Sequence, residues 1–114
     1  GWPVLMAGGS LPNIPKIALP AFYSELSGME FVNGNTFSDP VWKLENKGKA
    51  YLFYAKNSQD ISIDLASDKG DFEVYAINPT TGIVTKNTSI KGGKTIVIPA
   101  AEMKEKVVFI VKKN

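Results

Sequence analysis

The segment Phe72-Glu73-Val74-Tyr75-Ala76-Ile77-Asn78-Pro79-Thr80-Thr81-Gly82-Ile83-Val84-Thr85 constrains the fold of this chain more than any other. Its first six residues are rich in aromatic and β-branched side chains, as a strand requires. Pro79 fixes φ and removes a ladder donor, so the strand has to end there. Asn78 and Gly82 tolerate the positive φ of a tight reversal. Ile83-Val84-Thr85 then begins a second extended run. The segment reads as strand, turn, strand.

The same alternation recurs from residue 40 onward. Val41-Trp42-Lys43-Leu44-Glu45 alternates apolar and polar, and Asn46-Lys47-Gly48-Lys49 is a turn into Ala50-Tyr51-Leu52-Phe53-Tyr54-Ala55. Asn57-Ser58-Gln59-Asp60 turns into Ile61–Leu65, whose apolar residues fall at every second position. Asp68-Lys69-Gly70-Asp71 is a reversal into residues 72–77, and Lys91-Gly92-Gly93-Lys94 carries a two-glycine hairpin signal. Ile96 and Ile98 alternate before Pro99, and Ala100-Ala101-Glu102-Met103-Lys104 has the makings of one helical turn. Val107–Val111 is apolar throughout, which marks a central strand covered on both sides. Strands at this spacing predict an all-β fold, an antiparallel β-sandwich of about seven to eight strands.

The first forty residues differ. Gly8-Gly9-Ser10-Leu11-Pro12-Asn13-Ile14-Pro15 is too turn-dense for a regular element. Pro20–Met29 reads as a short helix: Pro20 suits its first turn, Phe22, Leu26 and Met29 share a face, and Gly28 lies near its end.

Three absences exclude whole classes of function. The chain of 114 residues contains no His, no Cys and no Arg. It therefore lacks the usual zinc and copper ligands and any Ser-His or Cys-His pair to activate a nucleophile. It also lacks the forked donor used on phosphate and guanine. A net charge of +2, all basic charge being dispersed lysine, argues against a nucleic-acid partner. No apolar run is long enough to span a membrane. No signal peptide is visible, and no cofactor or metal is called for.

Carboxylates are the remaining candidates for catalysis: Asp60, Asp64, Asp68, Asp71 and Glu73. Glycoside hydrolysis needs two of them facing each other across a cleft, ~5–10 Å apart. Most of these lie in turns, where aspartate serves local hydrogen bonds, so no catalytic residue is assigned. The Asp68–Asp71 turn offers hard oxygen ligands suited to calcium, without the spacing of an EF-hand. Trp42 and Tyr75 are the candidate ligand-binding residues, because flat aromatic faces stack on sugar rings. Lys91, Lys94, Lys104, Lys106, Lys112 and Lys113 make the C-terminal third basic and read as guards of exposed strands.

Asn78-Pro79-Thr80-Thr81-Gly82 also resembles the central turn of a known family. This is the small C-terminal β domain labelled as a collagen-binding domain of a collagenase, which follows apiosidase-like (β/α)8 glycoside hydrolase barrels. The order Tyr75…Asn78-Pro79-Thr80-Thr81-Gly82, then Lys94–Pro99, then Val107–Val111 is similar to that family's, as are Ala50–Ala55 and Ile61–Leu65. The resemblance covers residues 48–112. It departs at Ala76-Ile77, where the family has Trp-Phe, and at Thr80, where it has Arg. Met6-Ala7-Gly8-Gly9-Ser10-Leu11-Pro12 resembles the tail of the barrel itself.

The resemblance implies residues 1–30 as a linker or barrel remnant and residues 31–114 as the β-sandwich; the alternative makes residues 1–30 the domain's own first elements. It implies a secreted, periplasmic or cell-surface bacterial enzyme as parent. The chain would be its non-catalytic accessory module, with the barrel of the same parent chain as partner and Asn78, Pro79 and Gly82 as a structural turn. Binding of polysaccharide or collagen through exposed aromatics is the alternative function, and completion of the barrel's active site a third. On the linker reading, Trp2, Leu5, Ile14, Ile17, Leu19 and Phe22 face a second domain, and the β domain survives removal of residues 1–18.

Overall fold

The computed structural model describes residues 2–6, 14–31, 41–56, 60–98 and 105–113. Among the described residues two short helices precede eight strands: α1 (Trp2–Met6), α2 (Pro20–Leu26), β1 (Glu30–Phe31), β2 (Val41–Asn46), β3 (Ala50–Ala55), β4 (Ile61–Asp64), β5 (Asp71–Ile77), β6 (Val84–Lys91), β7 (Thr95–Ile98) and β8 (Lys106–Lys112). Six strands form one sheet in the order β1-β2-β3-β8-β5-β6, and β4 pairs with β7 in a second. Every pairing is antiparallel. The chain is an all-β antiparallel sandwich with a helical segment at its N-terminal end.

Alternation along the strands divides the core into two clusters. Trp42, Leu44, Leu52, Tyr54, Val107, Phe109 and Ile77 point to the outer face of the large sheet. There they meet Trp2, Leu5, Met6, Ile17 and Phe22 of the N-terminal segment. Tyr51, Phe53, Phe72, Val108 and Ile110 point to the inner face, where Ile61, Ile63 and Leu65 cover them. The large sheet is therefore buried from both sides, which is why β3 and β8 carry apolar residues without alternation.

β8 sits between β3 and β5, with Tyr51 opposite Ile110 and Tyr75 opposite Phe109. Among the described lysines of the C-terminal third, Lys106 departs from the expected pattern: it is buried, at the start of this central strand. Burial pushes its ammonium below the usual lysine range, against the opposing charge of Asp60. It is no solvent-facing guard. Lys104 and the helical turn expected at 100–104 lie outside the described residues, as does most of the turn expected at 57–60.

Two expected reversals are corners between sheets instead. β6 belongs to the large sheet and β7 to the small one, so Gly92-Gly93 carries the chain across the sandwich rather than around a hairpin. The glycines serve close backbone approach. Gly92 N–H donates to Gly70 O at 2.7 Å, and Gly93 N–H lies 2.8 Å from both Leu65 O and Asp68 O. A Cβ on Gly92 would overlap the Asp68 carbonyl oxygen. Residues 65–70 make the matching corner from β4 to β5.

The N-terminal segment also differs from a solvated connection. Trp2 and Leu5 are 5% exposed, Ile17 2% and Phe22 0%, with Ile14 and Leu19 partly buried against the same cluster. These six side chains face the chain's own sheet, so none of them is left bare for a second domain. α1 was not legible in the sequence: five residues are too few for a helical period to show.

Candidate functional site

The turn between β5 and β6 is where the N-terminal segment docks. Asn78 Oδ1 accepts from Thr80 N–H at 2.8 Å and Thr81 N–H at 3.1 Å, an Asx arrangement that holds the turn from within. Gly82 N–H donates to Asn78 O, and Asn78 N–H to Ile83 O, both at 2.8 Å. Gly82 takes φ 77°, and its bare Cα faces the backbone of Lys16, whose carbonyl oxygen a Cβ would strike. Trp2 Nε1–H donates to Pro79 O at 2.8 Å in a buried contact spanning 77 residues. Asn78, Pro79 and Gly82 thus form the seat of Trp2 and of Lys16-Ile17. Tyr23 extends that seat, its hydroxyl oxygen accepting from Ile17 N–H at 2.9 Å.

Among the described residues, Tyr23, Ile83 and Val97 are the large apolar side chains that remain exposed, at 38%, 60% and 57%. Two of the three flank this seat: Ile83 follows Gly82, and Tyr23 is bonded to Ile17. Val97 lies on the small sheet, beside a groove of about 200 Å³ between the sheets. Val74, Ala76, Ile90, Ile96 and Ile98 line that groove, with Lys86 and Thr88.

Trp42 is a core residue. It is 1% exposed, packed edge-on against Tyr54 with centroids 6.4 Å apart, and Lys56 Nζ lies 4.5 Å from its ring centre. No face of it is open to a sugar. Tyr75 is half-buried on the outer face of β5 and stacked on Phe109 at 6.1 Å and 27°. Its cross-strand partner is Asn87. The structure places the two on different parts of the sheet: Trp42 on β2 beneath the N-terminal cover, Tyr75 next to edge strand β6.

The carboxylates have separate local duties. Asp64 Oδ1 accepts from Ala66 N–H at 3.0 Å, and Asp68 Oδ1 accepts from Lys112 Nζ at 3.0 Å. Glu73 Oε1 accepts from Ser89 Oγ at 3.0 Å and Lys113 Nζ at 3.1 Å. Asp60 and Asp71 are exposed. Among the described residues no three His, Cys, Asp or Glu side chains come together as a metal site. Burial, the Glu105 hydrogen bond and that residue's charge push the Tyr54 phenol well above its ordinary value. Tyr54 is therefore a structural donor.

The hydrogen bond from Lys113, with help from Ser89, holds the Glu73 carboxyl below its usual value. A folded pKa below the unfolded one contributes stability above the unfolded value, and this is lost as pH falls through the folded value. The melting temperature of Glu73→Gln is therefore expected to decline less steeply than that of the parent chain as pH falls below about 4.5. Equal slopes would show that Glu73 gains nothing on folding.

No family model matches this chain, and no curated protein does either. The fold has counterparts among solved structures. One, described as a glycoside hydrolase, has a TM-score of 0.50 at 12% identity, over 76% of this chain and 20% of that one. A glycoside hydrolase family 5 structure from Bacteroides vulgatus ATCC 8482 has a TM-score of 0.50 at 16% identity, over 75% of this chain and 19% of that one. The chain thus spans about a fifth of the length of these structures, and at this identity the likeness is one of fold.

Proposed function

We propose that this chain is a non-catalytic accessory β-sandwich module of a secreted glycoside hydrolase-like enzyme, packing on the catalytic barrel and stabilising it. The observation that carries the reading is the asymmetry of the structural likeness: three quarters of this chain corresponds to a fifth of much longer glycoside hydrolase chains. On this reading residues 1–30 lead from a preceding barrel and at the same time cover the outer face of the sandwich of residues 31–114. The contact surface is the rim of the N-terminal seat, where exposed Ile83 and Tyr23 flank Lys16 and Ile17. Exposed apolar groups beside a joining segment are what an interdomain contact needs. The separate local duties of Asp64, Asp68 and Glu73 support a module without its own catalytic carboxylate pair.

Two measurements test this. The isolated chain is expected to show no turnover on a panel of aryl glycosides and plant polysaccharides. Turnover abolished by Asp→Asn at Asp60, Asp64, Asp68 or Asp71 would overturn the reading. In the intact parent enzyme, Ile83→Asp is expected to lower the melting temperature of the catalytic domain, by about 2–4 °C for each kcal/mol of interdomain packing removed. An unchanged transition would remove the packing role.

A further inference from the structure

The outer face of the large sheet is covered unevenly. The N-terminal segment packs over β2, β3, β8 and the Ile77 end of β5. Toward the other end of the β5–β6 hairpin the same face carries a polar row. Register and alternation place Tyr75 beside Asn87, Glu73 beside Ser89, and Asp71 beside Lys91. Lys113 adds its ammonium from the end of the neighbouring strand, 3.1 Å from Glu73 Oε1. A hollow of about 230 Å³ opens at the far end of the row, lined by Asp71, Ser89, Ile90, Lys91 and Lys113.

Tyr75 stands apart from the other tyrosines. Gly48 N–H donates to the Tyr51 hydroxyl, the Tyr54 hydroxyl donates to Glu105, and Ile17 N–H donates to the Tyr23 hydroxyl. The Tyr75 hydroxyl has no such partner among the described residues. Its ring stacks on Phe109, with centroids 6.1 Å apart and planes at 27°. An aromatic ring with a free hydroxyl and neighbouring donors and acceptors suits a ligand with one apolar and one hydroxyl-rich aspect.

We propose that Tyr75, Asn87, Glu73, Ser89 and Lys113 form a binding platform for a short neutral oligosaccharide lying along the β5–β6 hairpin. A sugar ring stacks on the free part of Tyr75. Hydroxyls further along accept from Lys113 and exchange hydrogen bonds with Ser89 and the Asn87 amide, which Glu73 positions: its Oε1 takes Ser89 Oγ and Lys113 Nζ, and its Oε2 is buried. The row from Tyr75 to Asp71 spans about 13 Å of strand, so it takes more than one sugar unit. Its two carboxylates and two ammonium groups cancel, which favours an uncharged glycan over an acidic one. The site is independent of the packing role, since it runs away from the turn that seats the N-terminal segment.

The test titrates the isolated chain with cellotetraose, xylotetraose and mannotetraose, and with trigalacturonic acid as the anionic comparison, following backbone amides by NMR. At least one neutral tetrasaccharide is expected to bind with a millimolar or tighter Kd and to shift the amides of residues 73–75 and 87–89. Tyr75→Ala should weaken binding about tenfold. Tyr75→Phe, which keeps the ring and removes the unpaired hydroxyl, should weaken binding less than Tyr75→Ala, and Val97→Ser on the small sheet should match the parent chain. Asn87→Ala, on an exposed strand, should lose several-fold with its melting temperature unchanged, which covers the case in which Tyr75→Ala fails to fold. The proposal is overturned if no neutral probe binds at about 10 mM, or if binding is indifferent to Asn87→Ala and both Tyr75 variants. Salt-sensitive preference for trigalacturonic acid would also overturn it, because the lysines would then be acting alone.

Discussion

Removal of residues 1–18 is expected to unfold the chain at 25 °C. Trp2, Leu5, Met6 and Ile17 are buried in one cluster with Trp42, Leu52 and Phe109. Full burial of each such side chain stabilises by about 1.5–3 kcal/mol. The four together contribute roughly 6–12 kcal/mol, against a total of about 5–15 kcal/mol for a domain of this kind. Truncation would also bare the outer face of β3 and β8, an apolar surface liable to associate. The single change Trp2→Ala should cost about 3–5 kcal/mol, from a cavity beside Phe22 and an orphaned Pro79 carbonyl. Far-UV circular dichroism and urea titration check both. A cooperative transition retained in the truncated chain would show that the segment merely rests on the sheet.

Gly82→Val is expected to be the most damaging single substitution among the glycines with positive φ. Gly82 holds φ 77°, which costs a β-branched residue about 1–3 kcal/mol. Its new Cβ would also meet the Lys16 carbonyl, and relieving such overpacking costs a further ~1–3 kcal/mol. Gly48→Ala shares the positive φ at 83°, yet its Cβ would meet only the Asp68 carboxylate at 3.3 Å. It should lose about 1 kcal/mol. Thr80→Ala on the exposed turn should stay within about 0.5 kcal/mol. Denaturant midpoints ranked otherwise would mean that the N-terminal segment does not lie against the turn.

Strands were easier to foresee than their pairing. Ala50–Ala55 and Val107–Val111 announce double-sided burial through unbroken apolar runs, and Ile61-Ser62-Ile63 announces single-sided burial through strict alternation. At Gly92-Gly93 the local sequence is ambiguous: two glycines permit a hairpin, and they equally permit a backbone corner against Asp68 and Gly70. Only the tertiary partner decides. Trp42 illustrates the same limit for the site, because Val41-Trp42-Lys43 reads alike on a bare sheet and on one covered by α1. What covers it comes from forty residues away, and spacing carries no trace of that. Tyr75 is only half-buried because it lies next to edge strand β6, where its cross-strand partner is the exposed Asn87.

The position of β8 has a consequence for how the molecule comes into being. This strand lies at residues 106–112 yet forms the middle of the large sheet, joined to β3 on one side and β5 on the other. Until it is synthesised, the β2–β3 pair and the β5–β6 hairpin have no common strand to unite them. Without β8 the sheet falls into two halves with unpaired edges at Ala50–Ala55 and Asp71–Ile77, and the outer face that α1 covers is incomplete. Long loop closures of this kind slow folding and leave edges open to wrong partners. A nascent chain stalled before residue 106 lacks Val107 and Phe109 from one face of the core and Val108 and Ile110 from the other.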